Sequence, residues 1–377
     1  MADTPRAVDM NALRPWHALV FASFIVTALW LGLSIEAATR TGATYVDEGT
    51  FHYSAWLWFS GEGLPYRDVF ENKPPGIFVL FGATELLLGS PYPAVRLASL
   101  AAAIASILCM GALFRRLLPL PPALLAAGFF GLMILAPYTD PYMAMTERFM
   151  VLFTCAGLLA AAKAEGRFWG AALSGLLCSL ALAFKQAALL ENALIAVVCA
   201  TGWPFAADGR FRLRTPGLVG WLSGWLLLQG GILGGLAAQG IADDYLHVVW
   251  GSLGGRGMAP PTLLDKLDNW MIGLNRMATA LAVAWLALPA LWSRLRKQPF
   301  APPHLAAFGG WWLLLAAPTA VGGWAWIHRY IQIFPALAFL GALALGELWR
   351  HVAEPSGGPA GQRLRTGITG LLAVLLV

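Results

Sequence analysis

Long apolar runs, separated by short polar segments, recur along most of the chain. Their length and their richness in Ala, Leu and Gly predict membrane-spanning helices, because spanning strands would be shorter and would alternate in polarity. The ten predicted spans are Trp16–Ile35, Ala94–Leu113, Ala123–Tyr138, Phe149–Ala162, Phe168–Phe184, Leu189–Phe205, Pro216–Ile241, Met277–Trp292, His304–Gly322 and Ile331–Trp349. The expected fold class is therefore an all-α polytopic membrane protein.

Composition supports this prediction and excludes other classes of protein. Only 12% of the 377 residues are charged and the mean hydropathy is +0.66, whereas soluble domains carry roughly 25% charged residues. The net charge of +5 is dispersed between apolar runs and forms no single basic face, which argues against nucleic acid as a partner. The four cysteines all lie in apolar runs without metal-ligand spacing, so no zinc site is predicted.

Basic residues mark one side of the predicted membrane protein. Alternating the spans places 15 of the 25 Lys and Arg residues in cytoplasmic loops, as the positive-inside rule requires. The chain is expected to form one transmembrane domain, residues 1–377, with its chemistry on the opposite face. Thr366–Val377 would extend only about 18 Å as a helix, so the chain is expected to end inside an eleventh, incomplete helix.

The first outer loop, about residues 36–93, holds most of the unusual polar residues. Glu48–Phe59 contains five clustered aromatic residues, which suits a helix lying in the membrane interface. The apolar run Ile77–Leu88 is too short to cross the bilayer and follows a Pro-Pro-Gly turn, so a second interfacial or re-entrant helix is predicted.

Two pairs of charged residues in this loop are candidate catalytic or binding residues. Asp47 and Glu48 lie just beyond the first span, where a carboxylate can take a proton from an acceptor. The alternative is a helix cap followed by an acidic first turn. Arg67 and Lys73 precede the two prolines and can bind a lipid phosphate, or they can simply extend their charges to the membrane surface.

Three sequence blocks resemble one family of membrane enzymes. Asp47-Glu48, Gly63-Leu64-Pro65-Tyr66-Arg67-Asp68 and Glu71-Asn72-Lys73-Pro74-Pro75-Gly76 are similar to the first periplasmic loop of the GT-C glycosyltransferases. The nearest resemblance is to the bacterial family 39 enzymes, which include protein O-mannosyltransferases and the aminoarabinose transferases of lipid A. The resemblance covers all three blocks in order and continues more weakly to about Leu345.

The resemblance implies a function and a fold. It implies a bundle of 10–11 helices in the bacterial inner membrane, with interfacial helices in the first loop and the active site on the periplasmic side. The donor would be a sugar linked to a polyprenyl phosphate, and the acceptor a glycan, lipid or protein. By resemblance, Asp47 is the base of an inverting transfer and Lys73 holds the carrier phosphate. No cofactor is implied, and a divalent cation at Asp47 and Glu48 is left open.

Two further outer positions are candidates. Glu147 falls where the family carries a second acid that orients the acceptor or the donor; a salt bridge to Arg148 is the structural alternative. Lys185 interrupts an apolar run, where a lysine is expensive unless it meets a phosphate or a partner such as Glu191.

The last candidates lie late in the chain. His328, Arg329 and Tyr330 precede a Pro-containing span, and in related enzymes a similar block is thought to contact the lipid phosphate; without the family, an aromatic belt with an anchoring Arg is favoured. The long outer loop, about residues 242–275, is expected to be functional or flexible. A transporter or flippase of a lipid-linked sugar is the alternative function, and a non-catalytic scaffold subunit is a third.

Overall fold

Helices make up nearly all of the regular structure in this computed structural model, which describes residues 10–39, 46–89, 91–136, 139, 142–206, 209–251, 302–321 and 327–353. The helices are α1 (Met10–Thr39), α2 (Val46–Ser60), α3 (Gly76–Leu88), α4 (Pro91–Leu117), α5 (Leu120–Ile134), α6 (Thr146–Ala164), α7 (Phe168–Phe184), α8 (Ala188–Thr201), α9 (Thr215–Ala238), α10 (Ala242–Tyr245), α11 (Pro303–Val321) and α12 (Phe334–Ala353). A π-helical turn, Leu246–Trp250, continues α10, and a 3₁₀ helix, Ile327–Ile333, precedes α12. The predicted all-α fold class is confirmed.

Most predicted spans correspond to helices, with differences at the ends that have local causes. The predicted span to Tyr138 ends at Ile134, because Pro137 disfavours helical backbone in the residue before it. The span predicted to reach Phe205 ends at Thr201, where Gly202 adopts a left-handed conformation with φ 73° and caps the helix. The predicted span Met277–Trp292, residues 252–275 of the long outer loop and the C-terminal helix lie outside the described residues.

The helices alternate in direction as the loop charges predict. Helices α6 and α7 are antiparallel. Lys185, just after α7, forms an ion pair with Glu147 at the start of α6, and the Ser174 hydroxyl donates to the Gly157 carbonyl near the middle of both helices. At the opposite end of the bundle, Arg116 at the end of α4 approaches Glu165 after α6 at 3.7 Å. One end therefore collects the basic loops and the other collects the predicted site residues.

Three described helical segments are long and apolar enough to cross a membrane by length and composition: Tyr92–Leu117, Thr215–Ala238 and Tyr330–Glu347. The last of these segments is almost entirely covered by the rest of the protein, and α5 is also buried along most of its length. These helices form the interior of the bundle, and the exposed apolar residues of α1 and α9 form part of its outer surface.

Glycines allow α7 and α9 to pack backbone against backbone. A Cβ atom at Gly175 would lie 1.9 Å from the Trp221 carbonyl oxygen, and one at Gly224 would lie 1.9 Å from the Ala172 oxygen. The contacts of Gly220 with Phe168, of Gly224 with Ala172 and of Gln229 with Ser179 advance in the same direction along both helices, so α7 and α9 are parallel. Small residues at such contacts are typical of membrane helices, whose association depends on close packing.

Gly224→Ala is expected to destabilise the bundle, because the new methyl group has no room without separating α7 from α9. Overpacking of this kind costs about 1–3 kcal/mol, and the melting temperature in detergent reports it. Gly230→Ala on the same helix is the matched control, since no described atom outside the helix lies within 4 Å of its added Cβ. Equal melting temperatures for the two variants would contradict this account of the contact.

Candidate active site

Helix α2 places its side chains on different faces. Phe51 lies one turn after Asp47 and Glu48, at i+4 and i+3, so it neighbours both acids on the helix surface. The Nζ atom of Lys73 lies over the Phe51 ring, 5.8 Å from its centroid, which places the ammonium about one helical turn from the two acids. Glu48 is buried, whereas Tyr53 on another face is exposed.

Glu48 is fully buried and has several partners. The Arg96 guanidinium binds its carboxylate through Nε at 3.1 and 3.2 Å and through Nη2 at 2.7 Å. The backbone N–H of Ala144 donates to Oε1 at 2.8 Å. These bonds therefore tie the segment before α6 to the start of α2. This geometry favours a positioning role for Glu48 over a catalytic one, and a divalent cation would have to compete with Arg96 for its oxygens.

Asp47, one residue earlier, differs from Glu48 in its surroundings. Its side chain is partly exposed. Within the described part of the chain, no residue forms a hydrogen bond or an ion pair with its carboxylate. Of the two acids, Asp47 is therefore the one whose carboxylate has no partner among the described residues.

Lys73 is held loosely by its own turn. Its Nζ atom lies 3.2 Å from Asn72 Oδ1 and 3.5 Å from Glu71 Oε1, and the side chain remains about one-fifth exposed. The ammonium has three N–H donors, and the contacts to Asn72 and Glu71 use two of them, so one donor remains for an anion.

Arg67, which the sequence suggests as a ligand of a lipid phosphate, instead binds Asp244 in this structure. Its guanidinium binds Asp244 through Nε at 3.0 Å and Nη2 at 2.9 Å, and it also donates to the Gly240 carbonyl. Arg67 therefore fastens the start of the long outer loop to the first loop. The prediction that it binds a phosphate stays untested, and the geometry favours the structural task.

Glu147 and Lys185 form a buried ion pair between α6 and the end of α7. Thr146 donates to the second oxygen of Glu147 at 3.0 Å. Arg148, the alternative partner in the sequence, donates to backbone carbonyls, including that of Met143 at 2.8 Å. Glu191, the alternative partner of Lys185, instead accepts a hydrogen bond from Trp312 Nε1 at 2.7 Å.

Gln186 connects this pair to the turn that carries Lys73. Its Nε2 atom donates to the Asn72 carbonyl and, at 3.2 Å, to the Val249 carbonyl in the π-helical turn. The backbone of Gly76 also packs closely here, since a Cβ atom would lie 2.6 Å from the Ala183 oxygen. Lys73 and Lys185 therefore belong to two adjacent, bonded segments.

The late candidates are described only in part. Residues 328–330 lie in the 3₁₀ helix Ile327–Ile333, which packs against α6 and α11. Tyr330 is buried. The side chains of His328 and Arg329 lie outside the described part of the structure, so their contact with a phosphate stays a prediction.

Several residues that build the site were not among the predicted site residues. They are Arg96, Gln186, Tyr66 and a cluster in which His52 contacts Tyr92 at 2.9 Å and Glu85 at 3.1 Å. An arginine within a predicted span was a usable signal, because intramembrane charges need partners. The sequence has no comparable signal for the donors on Gln186 and Tyr66.

Comparison with known proteins identifies the fold. No protein-family model matches the chain, and no curated protein matches its sequence. Among solved structures, ArnT from Cupriavidus metallidurans bound to undecaprenyl phosphate superposes with a TM-score of 0.55 at 16% identity, covering 94% of this chain and 63% of ArnT. The oligosaccharyltransferase of Archaeoglobus fulgidus, tethered to an acceptor peptide with the NVT sequon, gives 0.56 at 13% identity, covering 94% and 54%.

The chain thus spans less than two thirds of the length of both enzymes. At these sequence identities the structural similarity establishes the fold of this protein and does not establish its activity. This multi-pass membrane protein has the GT-C fold, which both of these glycosyltransferases share.

Proposed function

We propose that this protein is an inverting glycosyltransferase that moves a sugar from a polyprenyl-phosphate carrier to an acceptor. The observation that supports this most directly is a cation about one helical turn from Asp47. The Lys73 ammonium lies over the ring of Phe51, four residues after Asp47, and Asp47 has no partner among the described residues. A base and a phosphate-binding cation are the two groups that this transfer needs.

The proposed step uses these groups in a defined order. The Asp47 carboxylate takes the proton from an acceptor hydroxyl or amine, whose oxygen or nitrogen attacks the anomeric carbon from the face opposite the carrier. The bond between that carbon and the phosphate oxygen breaks, and the polyprenyl phosphate leaves with the electron pair. Lys73 stabilises the developing charge on the phosphate, and attack from the opposite face inverts the anomeric centre.

The other candidates have supporting tasks in this proposal. Glu147 and Lys185 lie beside the Lys73 turn, where Glu147 orients a substrate and Lys185 adds a second cation for the phosphate. His328, Arg329 and Tyr330 belong to a 3₁₀ helix that packs on α6, and we assign them to the lipid phosphate as further contacts. Glu48 and Arg67 position the loops.

The proposed location is the bacterial cytoplasmic membrane, with the site on the periplasmic side. The basic ends of α4, α6 and α9 would face the cytoplasm, as the positive-inside rule predicts. The bilayer supplies the lipid donor laterally, so that its phosphate reaches the outer end of the bundle. The acceptor is a glycan, a lipid or a protein segment on that side.

Lys73→Ala is expected to weaken binding of undecaprenyl phosphate about 10- to 100-fold, because one charge-assisted contact to the phosphate is lost. Binding is measured with purified protein in lipid nanodiscs, and transfer with a radiolabelled pool of polyprenyl-phosphate sugars. Lys163→Ala is the matched control, since this exposed lysine lies at the opposite end of α6.

Two results would contradict the proposal. One is binding of undecaprenyl phosphate by Lys73→Ala with the affinity of the unaltered protein. The other is movement of the labelled lipid between leaflets by wild-type protein without any sugar transfer, which would favour a flippase.

A further inference from the structure

The turn that carries Lys73 cannot be held by backbone donors at its prolines. Pro74 and Pro75 have no N–H, so the segment depends on its carbonyl groups and side chains for attachment. The two carbonyls just before the prolines both receive side-chain donors. Gln186 Nε2 donates to the carbonyl of Asn72, and the Tyr66 hydroxyl donates to that of Lys73 at 3.0 Å.

Tyr66 reaches this carbonyl from an unfavourable backbone conformation. Its φ is 72°, in the left-handed region that a bulky residue rarely adopts, and only 4% of its surface is exposed. The surrounding turn enforces the conformation: the Tyr66 N–H donates to the Val69 carbonyl at 3.0 Å, and the Leu64 N–H donates to Asp68 at 2.7 Å. Backbone strain that is maintained in this way commonly lies at functional sites.

The aromatic ring and the hydroxyl of Tyr66 have separate partners. The ring packs edge-on against Tyr245 of α10, with centroids 5.2 Å apart, and against Phe78 of α3 at 6.0 Å. Burial raises the pKa of the Tyr66 hydroxyl well above its ordinary value, and nearby Tyr245 and Glu71 raise it further. The hydroxyl therefore stays protonated at neutral pH and remains a donor to Lys73.

We infer that Tyr66 and Gln186 are positioning residues that fix the backbone of Lys73, so that its ammonium stays over Phe51 of α2, about one turn from Asp47. This inference rests on the proposed function of Lys73 as the phosphate-binding cation. The two donors approach from different elements, Tyr66 from the first loop and Gln186 from the end of α7. Both segments also contact the region of α10 and its π-helical turn, through Tyr245 and Val249.

The test is a double-mutant cycle on the affinity for undecaprenyl phosphate in nanodiscs, with undecaprenol as the uncharged comparison. Tyr66→Phe keeps the ring and removes the donor, and we expect it to raise the Kd about five- to tenfold. In a Lys73→Ala background the same change should have no further effect, because Tyr66 acts through Lys73. Gln186→Met should behave in the same way. Tyr245→Phe, which removes a neighbouring buried hydroxyl, is the matched control and should bind within twofold of wild type.

The outcomes separate this inference from the proposed function. Tyr66→Phe and Gln186→Met both binding within twofold of wild type would overturn the inference while Lys73→Ala still weakens binding. An undiminished effect of Tyr66→Phe in the Lys73→Ala background would also overturn it, since the loss would then be general. Unchanged binding by Lys73→Ala alone would overturn the proposed function, and this inference with it.

Discussion

Asp47→Asn is expected to reduce sugar transfer by about 10²–10⁴-fold, the usual effect of removing a positioned general base. Asparagine keeps the shape of the side chain but cannot take the acceptor proton. The loss should appear in kcat, because in the proposed geometry Asp47 faces the reacting centre and Lys73 holds the phosphate. Binding of undecaprenyl phosphate should therefore change little, and single-turnover transfer of labelled sugar measures the chemical step directly.

Asp243→Asn is the matched control for this variant. Asp243 is an exposed aspartate in α10, at the same end of the bundle. The change removes the same charge and leaves the α2 face untouched, so transfer should stay near the wild-type rate. Transfer at the wild-type rate by Asp47→Asn would eliminate Asp47 as the base and direct attention to Glu147, an acid connected to the Lys73 turn through Lys185 and Gln186.

Removing one partner of the Glu48–Arg96 pair is expected to destabilise the protein by about 3–5 kcal/mol, because the remaining charge stays buried without compensation. Arg96→Met leaves the Glu48 carboxylate in an environment with no exposed surface. The melting temperature in detergent should fall steeply. Arg96→Met combined with Glu48→Gln should recover much of the loss, since glutamine can still accept the hydrogen bond from Ala144.

An exposed ion pair provides the comparison. Arg67 and Asp244 are 47% and 36% exposed, and breaking such a pair costs about 1 kcal/mol or less. Stability changes of equal size at the two pairs would show that Glu48 is not the buried anchor described above. If Glu48→Gln instead abolished transfer at unchanged melting temperature, Glu48 would belong to the chemistry, as the sequence first indicated.

Much of the architecture was predictable because its causes are local. Each apolar run specifies a helix of its own, and α7 begins and ends at the predicted residues Phe168 and Phe184. The existence of helices α2 and α3 was also predictable, since aromatic clustering and a Pro-Pro-Gly break act over a few residues; their place in the membrane interface stays a prediction. Two helices end earlier than predicted, before Pro137 and Gly202, for reasons visible at those residues.

The partners of the charged residues were less predictable. The sequence offered Arg148 for Glu147 and Glu191 for Lys185, both chosen because they are near in the chain. The structure pairs Glu147 with Lys185 across 38 positions and Glu48 with Arg96 across 48. In a helical bundle, side chains that meet belong to helices brought together by packing, and separation along the chain says little about that.

The sequence by itself determined the helical membrane fold, the alternation of basic ends and the three blocks that hold Asp47 and Lys73, because these depend on local composition and on short motifs. Only the tertiary structure decided that Asp47 lacks a described partner while Glu48 anchors a loop, and that Tyr66 and Gln186 hold the turn of Lys73. Those assignments depend on which helices touch. Glycine contacts between α7 and α9, and the bonds of Gln186, set the position of the α7 end beside the first loop.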